Sequence, residues 1–295
     1  MNAKMAVLAL VFGGAVTPSA QAAQFQANSN AGVELSILNQ RLGDPRADSG
    51  ASPVATDSRA TLAAYGQSGS THAAASAEAG ALHAFATGRA VNPENYSGGV
   101  NTGSSASAAF GDSFILQAAG YGAGTVAWVT ATVRIDGAVM QHEGEGEYRY
   151  AQRWWADLTV GSSLSGYAWS GFESNYVSCD ACSNHSSLGE KSVGFYAVIG
   201  AANGISMNLG VENNIFMNFG PGGFSSGTMD LGDTFAWGGI TSVTVGGAPV
   251  TEFSALSPDT GFDFAAGYQA APVPEPGSAA LLAAGLLVLP WLRRR

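Results

Sequence analysis

The sequence predicts a mostly β protein, a single antiparallel β-sandwich of jelly-roll-like form. Only 12% of the 295 residues are charged and 40 are glycine, a composition typical of turn-rich β proteins. Stretches such as TVAWVTATVRI alternate with period two and are rich in β-branched and aromatic residues. Two cysteines cannot form a disulfide scaffold, so the fold depends on burying its 46% of hydrophobic residues.

The alternation in TVAWVTATVRI predicts which face of that strand meets the core. One set of side chains is apolar throughout, whereas the other includes Trp128, Thr130 and Arg134. The following Asp136-Gly137 is a tight-turn signal and predicts a hairpin. The residues predicted to face the core are Ala127, Val129, Ala131, Val133 and Ile135.

Residues 1–22 are predicted to be a signal peptide. Lys4 gives a positive start, an apolar run follows, and Ala20 and Ala22 provide the small residues of a signal-peptidase site. A buried N-terminal helix is the weaker alternative, because the run is short and breaks at Pro18. We therefore expect export, with signal peptidase as a processing partner.

The exported chain divides by composition into three further parts. Residues 23–59 are polar, include DPRADSGASP, and are predicted to be a loop-rich lead-in or a poorly ordered segment. Residues 60–264 carry the strand patterns and form the predicted β-sandwich domain. Residues 265–273 are a linker to the C-terminal tail.

The charge of the exported chain restricts its partners. Without Lys4 and the three terminal arginines, eight Lys and Arg remain against 22 Asp and Glu, a net charge of about −14. Such a surface repels phosphate backbones, so no nucleic-acid partner is expected. Cations and neutral glycans remain possible ligands.

The last 22 residues combine three features in a fixed order. A proline-rich motif is extended and cannot join a sheet ladder, because proline lacks a backbone donor. Residues 278–292 are apolar and would form a short transmembrane helix, about 22 Å long against a hydrocarbon core of about 30 Å. A terminal arginine cluster then acts as a cytoplasmic stop. The motif is Pro274, Glu275 and Pro276, and the cluster is Arg293, Arg294 and Arg295.

This order of motif, short membrane segment and arginine cluster resembles the PEP-CTERM sorting signal of Gram-negative bacteria. The resemblance covers residues 274–295 and implies that an exosortase, a membrane-embedded cysteine transpeptidase, recognises the motif and removes the tail. It also implies transient anchoring in the inner membrane, followed by display at the cell surface or in an extracellular, biofilm-type matrix. A tail that is never cleaved and serves as a plain anchor is the alternative.

Cys179 and Cys182 are predicted to form a small-loop disulfide in an oxidising compartment. With His185 they would give three zinc ligands in C-x2-C-x2-H spacing, a less favoured alternative because a fourth ligand is not evident.

Glu143, Glu145 and Glu147 occupy every second position of HEGEGEYRY. The favoured interpretation is a solvated edge that discourages aggregation between sheets. Calcium binding by the three carboxylates is the weaker alternative, and no other cofactor is expected. A glycosidase pair of acid and nucleophile ranks last.

Trp154, Trp155 and Trp169 lie in an aromatic-rich segment that could contact sugar rings. Aromatic residues more often fill a sandwich core, and alternation allows only one of the adjacent Trp154 and Trp155 to do so. The other would lie at the surface or beneath a loop.

No catalytic residues are predicted. The sequence has no G-x-S-x-G elbow, phosphate loop or HExxH motif, which lowers the expectation of familiar hydrolases and nucleotide enzymes. We expect a structural or adhesive protein of the cell surface, associated with exopolysaccharide. The alternative is a secreted glycan-binding module or a glycoside hydrolase.

Overall fold

The computed structural model describes residues 26–37, 40–50, 53–64, 66–93, 99–146, 148–162, 167–178, 189–217 and 222–269. These residues contain strands and connecting turns and no helix, so the predicted mostly β fold is confirmed. The strands are β1 (Gln26–Ile37), β2 (Gln40–Gly50), β3 (Val54–Ala64), β4 (Gln67–Glu78), β5 (Ala81–Asn92), β6 (Val100–Ala118), β7 (Val126–Glu145), β8 (Tyr148–Ser162), β9 (Tyr167–Ser178), β10 (Gly189–Val198), β11 (Ala202–Met217), β12 (Gly223–Val245), β13 (Ala248–Val250) and β14 (Phe253–Leu256).

The strands form two seven-stranded sheets in which every pairing between described strands is antiparallel. The first sheet has the order β2-β1-β6-β11-β8-β9, and β14 pairs with the end of β6. The second has the order β10-β7-β12-β5-β4-β3, and β13 pairs with the end of β12.

The two sheets pack face to face around a shared hydrophobic core. The first sheet contributes large side chains such as Trp154 and Phe110, and the second contributes Trp237 and Leu82, all fully buried. Predicted core positions in β7 are confirmed, because the whole apolar set of TVAWVTATVRI is buried. The period-two pattern therefore identified the inward face of this strand correctly.

A layer of polar groups crosses the sandwich and separates the main core from a smaller one. The amide of Gln152 donates to Asn213 Oδ1 (3.0 Å) and to the backbone carbonyls of Gln141 (3.1 Å) and Thr228 (3.3 Å). Asn213 Nδ2 in turn donates to the carbonyl of Gly227 at 3.1 Å. Buried amides need such partners, and here they tie the two sheets together.

The polar layer also explains one glycine. A Cβ on Gly227 would lie 2.6 Å from Asn213 Oδ1 and 2.8 Å from Gln152 Nε2. Only a residue without a side chain lets β12 approach these amides. The smaller core beyond the layer contains Ile37, Ala90, Val100, Ile215 and Met217.

The predicted loop-rich lead-in at residues 23–59 is wrong for its described part. β1 pairs with β6 along its whole length, β2 pairs with β1, and β3 begins at Val54. Most of β2 is exposed, which explains why it lacks apolar alternation. An edge strand can be polar, because its backbone hydrogen bonds hold it to the sheet without burial of its side chains.

The predicted hairpin turn at Asp136-Gly137 is also wrong, because β7 continues through both residues to Glu145. β12 pairs with β7 on both sides of this point, and a register shift between Leu231 and Thr234 lies opposite it. The long-range pairing of β7 with β12, which includes an irregularity in β12, therefore outweighs the local preference of Asp-Gly for a turn.

Residues 257–268, here called the C-terminal strap, follow β14 and are fixed to the sandwich. The indole Nε1 of Trp237 donates to the carbonyl of Phe264 at 2.7 Å, and the amide of Tyr268 donates to the carbonyl of Trp237 at 2.7 Å. Phe264 is fully buried in the main core. The part of the predicted linker that precedes Gln269 therefore belongs to the folded body.

Candidate functional site

Several predicted site residues lie outside the described residues. They include the signal-peptidase site Ala20 and Ala22, the motif Pro274, Glu275 and Pro276, the cluster Arg293, Arg294 and Arg295, the pair Cys179 and Cys182, and also His185 and Glu147. None of the described residues forms a helix long and apolar enough to cross a membrane.

The adjacent tryptophans of β8 point to opposite faces of the first sheet. Trp154 is fully buried in the main core, so its predicted glycan contact is wrong. Trp155 is partly exposed on the outer face, as alternation allows for one of the two. Trp169 of β9 pairs through its backbone with Val160 of β8, and the structure does not describe its side chain.

Trp155 lies across the neighbouring strand β11, directly over Gly210. A Cβ on Gly210 would lie 2.0 Å from Cζ2 of the indole, so the ring rests on the bare backbone of that residue. Gly210 is the cross-strand partner of Trp155. A glycine in this place lets a large aromatic side chain lie close to the sheet surface.

Two polar pairs flank the indole. The guanidinium of Arg153 lies 5.1 Å from the centroid of the Trp155 ring and donates to Glu212 Oε1 at 2.8 Å. On the other side, Asn208 Nδ2 donates to Asp157 Oδ2 at 3.2 Å. An aromatic surface bordered by hydrogen-bonding groups is suited to a ligand with both an apolar face and hydroxyl groups, as a sugar ring has.

Glu143 and Glu145 are exposed near the end of β7. Residues 136–145 of β7 pair with β12 alone among the described strands. The described residues contain no group of three or more His, Cys, Asp or Glu side chains that could hold a metal ion. The interpretation of these carboxylates as a solvated edge stays a prediction.

A pair of aromatic side chains on the outer face of the second sheet was not predicted. Trp128 is 41% exposed, packs over Gly194, and meets Tyr196 edge-on with ring centroids 4.9 Å apart. The outward position of Trp128 follows from alternation, but its partner in β10 depends on long-range pairing. The sequence alone gave no sign of this contact.

His142 lies at the end of the sandwich beside the smaller core. Its Nε2 is 2.9 Å from Ser225 Oγ, and its ring stacks on Tyr150 with centroids 3.7 Å apart. Burial lowers the pKa of the His142 imidazole, and the nearby Glu143 opposes that shift. Ser225 is fully buried, so this serine and histidine pair is not open to a substrate and has a packing role.

Asp112 is a buried carboxylate that joins β6 to the C-terminal strap. Its oxygens accept hydrogen bonds from the hydroxyls of Ser257 (2.9 Å) and Thr260 (3.0 Å) and from the amide of Ser113 (2.7 Å). Burial raises the pKa of the Asp112 carboxyl, although these hydrogen bonds favour its charged form. The cluster holds the strap in place.

Comparison with known proteins finds no family model, no characterised protein and no solved structure that matches the chain.

Proposed function

We propose that this chain is an exported structural or adhesive protein of the cell surface or extracellular matrix. A signal peptide would direct it across the inner membrane, and its C-terminal tail would be recognised by an exosortase. The order of Pro-Glu-Pro motif, apolar segment and arginine cluster in residues 274–295 carries the proposal. The proposal also includes a jelly-roll-like order of strand connections in the sandwich and a short transmembrane helix in the tail.

The contacts of the C-terminal strap are compatible with processing of the tail. The strap is held by Trp237, Phe264 and Tyr268, and Tyr268 also donates to Glu78 Oε1 at 2.5 Å. All of these contacts lie before Pro274, so a cut at the motif would remove none of them. The sandwich is therefore expected to survive removal of its tail.

The test is the intact mass of the protein recovered from the cell surface and from the medium of the producing cell. Wild type is expected to lack the residues after about Pro276, whereas a Glu275→Ala, Pro276→Ala variant is expected to remain full-length in the membrane. If wild type also keeps Arg293 to Arg295 and stays in the inner membrane, the sorting proposal fails and the tail is a plain anchor.

Glycan binding at Trp155 is the second candidate function. The indole lying over Gly210, with Arg153 and Asn208 on either side, is the observation that favours it. We infer binding without hydrolysis, because the neighbouring carboxylates of Glu212 and Asp157 are engaged by Arg153 and Asn208. A glycan array with wild type and Trp155→Ala, followed by a hydrolysis assay on every bound glycan, would test both parts.

A further inference from the structure

We propose that the outer face of the first sheet binds a linear, uncharged oligosaccharide along a strip of β11 that extends from Trp155 to Phe216, here called the β11 strip. The proposal rests on the glycan-binding candidate above and adds the class of ligand and a second contact residue. Phe216 is not needed for a site centred on Trp155 alone.

The two aromatic side chains lie on the same face of the sheet, at different points along β11. Trp155 covers Gly210, and Phe216 is 44% exposed at an even-numbered, outward position of the same strand. Six residues separate Gly210 from Phe216, which corresponds to roughly 20 Å at about 3.4 Å per residue of strand. A monosaccharide cannot reach both rings, so a ligand that uses both must be a chain.

The surface between the two rings is polar and includes the ion pair of Arg153 with Glu212. Gly103, Ser105 and Ser107 of β6 occupy outward positions beside β11, and Asn214 of β11 lies between Glu212 and Phe216. Small residues thus border this part of β11 on the side of β6. Serine hydroxyls and the asparagine amide can both donate and accept hydrogen bonds, as recognition of sugar hydroxyls requires.

The paired charges beside Trp155 favour an uncharged ligand there, and Arg149, the cross-strand neighbour of Phe216, is the further charged residue beside the β11 strip. Arg153 is paired with Glu212, and Asp157 accepts a hydrogen bond from Asn208, so both carboxylates beside Trp155 have partners within the protein. The full chain carries a net charge of −10, which repels anionic polysaccharides. Aromatic stacking and hydroxyl hydrogen bonds then supply the affinity.

The experiment measures how affinity depends on ligand length. The purified full chain is titrated calorimetrically with neutral linear glucan oligosaccharides, from disaccharide to hexasaccharide. Affinity is expected to rise with length. Phe216→Ala is expected to weaken hexasaccharide binding about tenfold, the equivalent of losing one stacked ring, and to leave disaccharide binding unchanged. Trp155→Ala is expected to weaken binding of both.

Two further variants control for folding and for position. Trp128→Ala removes an exposed tryptophan from the opposite sheet and is expected to change neither affinity. Gly210→Ala keeps Trp155 but places a Cβ where the indole now rests, so it is expected to weaken binding of both ligands while thermal melting still reports a folded chain.

The outcomes distinguish the proposed β11 strip from the more general proposal that Trp155 binds glycans. If wild type binds no glycan on the array, the glycan-binding candidate itself is refuted. If it binds on the array but binds none of the neutral linear oligosaccharides, or if binding depends on Trp155 but not on ligand length or on Phe216, that candidate stands and the β11 strip is overturned. A loss of affinity in Trp128→Ala moves the site to the second sheet and overturns both. Tighter binding of charged oligosaccharides of equal length overturns the uncharged class.

Discussion

Replacing Trp237 by phenylalanine should loosen the C-terminal strap and destabilise the whole sandwich. The indole is fully buried, meets Phe264 edge-on with centroids 5.8 Å apart, and donates to the carbonyl of Phe264 at 2.7 Å. Loss of this buried hydrogen bond costs about 1 to 2 kcal/mol. The smaller ring adds about 1 to 2 kcal/mol of lost packing, so the free energy of unfolding should fall by about 2 to 4 kcal/mol.

Urea unfolding of the full chain, followed by far-ultraviolet circular dichroism, measures this loss as a lower midpoint with an unchanged slope. Hydrogen exchange should show faster exchange of the Phe264 and Tyr268 amides, which bond to the carbonyls of Ala255 and Trp237. Trp128→Phe is the matched control, because Trp128 is exposed, and it should shift stability by less than about 0.5 kcal/mol. A Trp237→Phe protein as stable as the control would refute the role assigned to the indole.

Three further predictions concern other parts of the sandwich. Gly267→Ala should lower the free energy of unfolding in urea by about 2 kcal/mol or more, because Gly267 has φ +80° and a Cβ there would lie 2.6 Å from the backbone carbon of Gly238. An unchanged urea midpoint would contradict this close approach. Asn213→Ala should lower the free energy of unfolding by about 2 to 3 kcal/mol in the same assay, because it removes the hydrogen bonds of Asn213 to Gln152 and to Gly227 of the opposite sheet. A loss below about 0.5 kcal/mol would show that the polar layer contributes little to stability. Burial lowers the pKa of His142 in the folded chain, so the unfolded chain takes up the proton at a higher pH and stability should fall as pH drops below about 6.5. His142→Phe should reduce that fall between about pH 7.5 and 5.5, and an identical pH dependence in the variant would exclude His142 as its source.

Local alternation predicted the parts of the fold that depend on one strand at a time. The inward set of TVAWVTATVRI is buried as expected, and Trp154 and Trp155 divide between core and surface. Both results follow from the geometry of an extended chain, in which neighbouring side chains point to opposite faces. Which of the two tryptophans would be buried was not predictable, because it depends on the register of β8 within the sheet.

The parts that were missed all depend on partners far away in sequence. The strands within residues 26–50 are recognisable only through their pairing with β6 and with each other. The strap is held by the contact between Trp237 and Phe264, which are far apart in sequence. The prediction placed the end of the domain at residue 264, and this was too early because the strap continues to Tyr268. Gly210 is one of 40 glycines, and nothing in the sequence around it indicates that the Trp155 ring packs on its backbone.

The polar layer and the proposed β11 strip are coupled, because both contain residues of β11. Asn213 points inward and bonds to Gln152 and to the opposite sheet, whereas Gly210 and Phe216 lie on the outward face of the same strand. A one-residue slip of β11 would turn Asn213 to solvent and move Gly210 from beneath Trp155, because the side-chain period of a strand is two residues. A buried amide that must find its partners therefore fixes the register that also forms the outer face. Selection for ligand contacts on this face would accordingly act on Asn213, a residue that no ligand could touch.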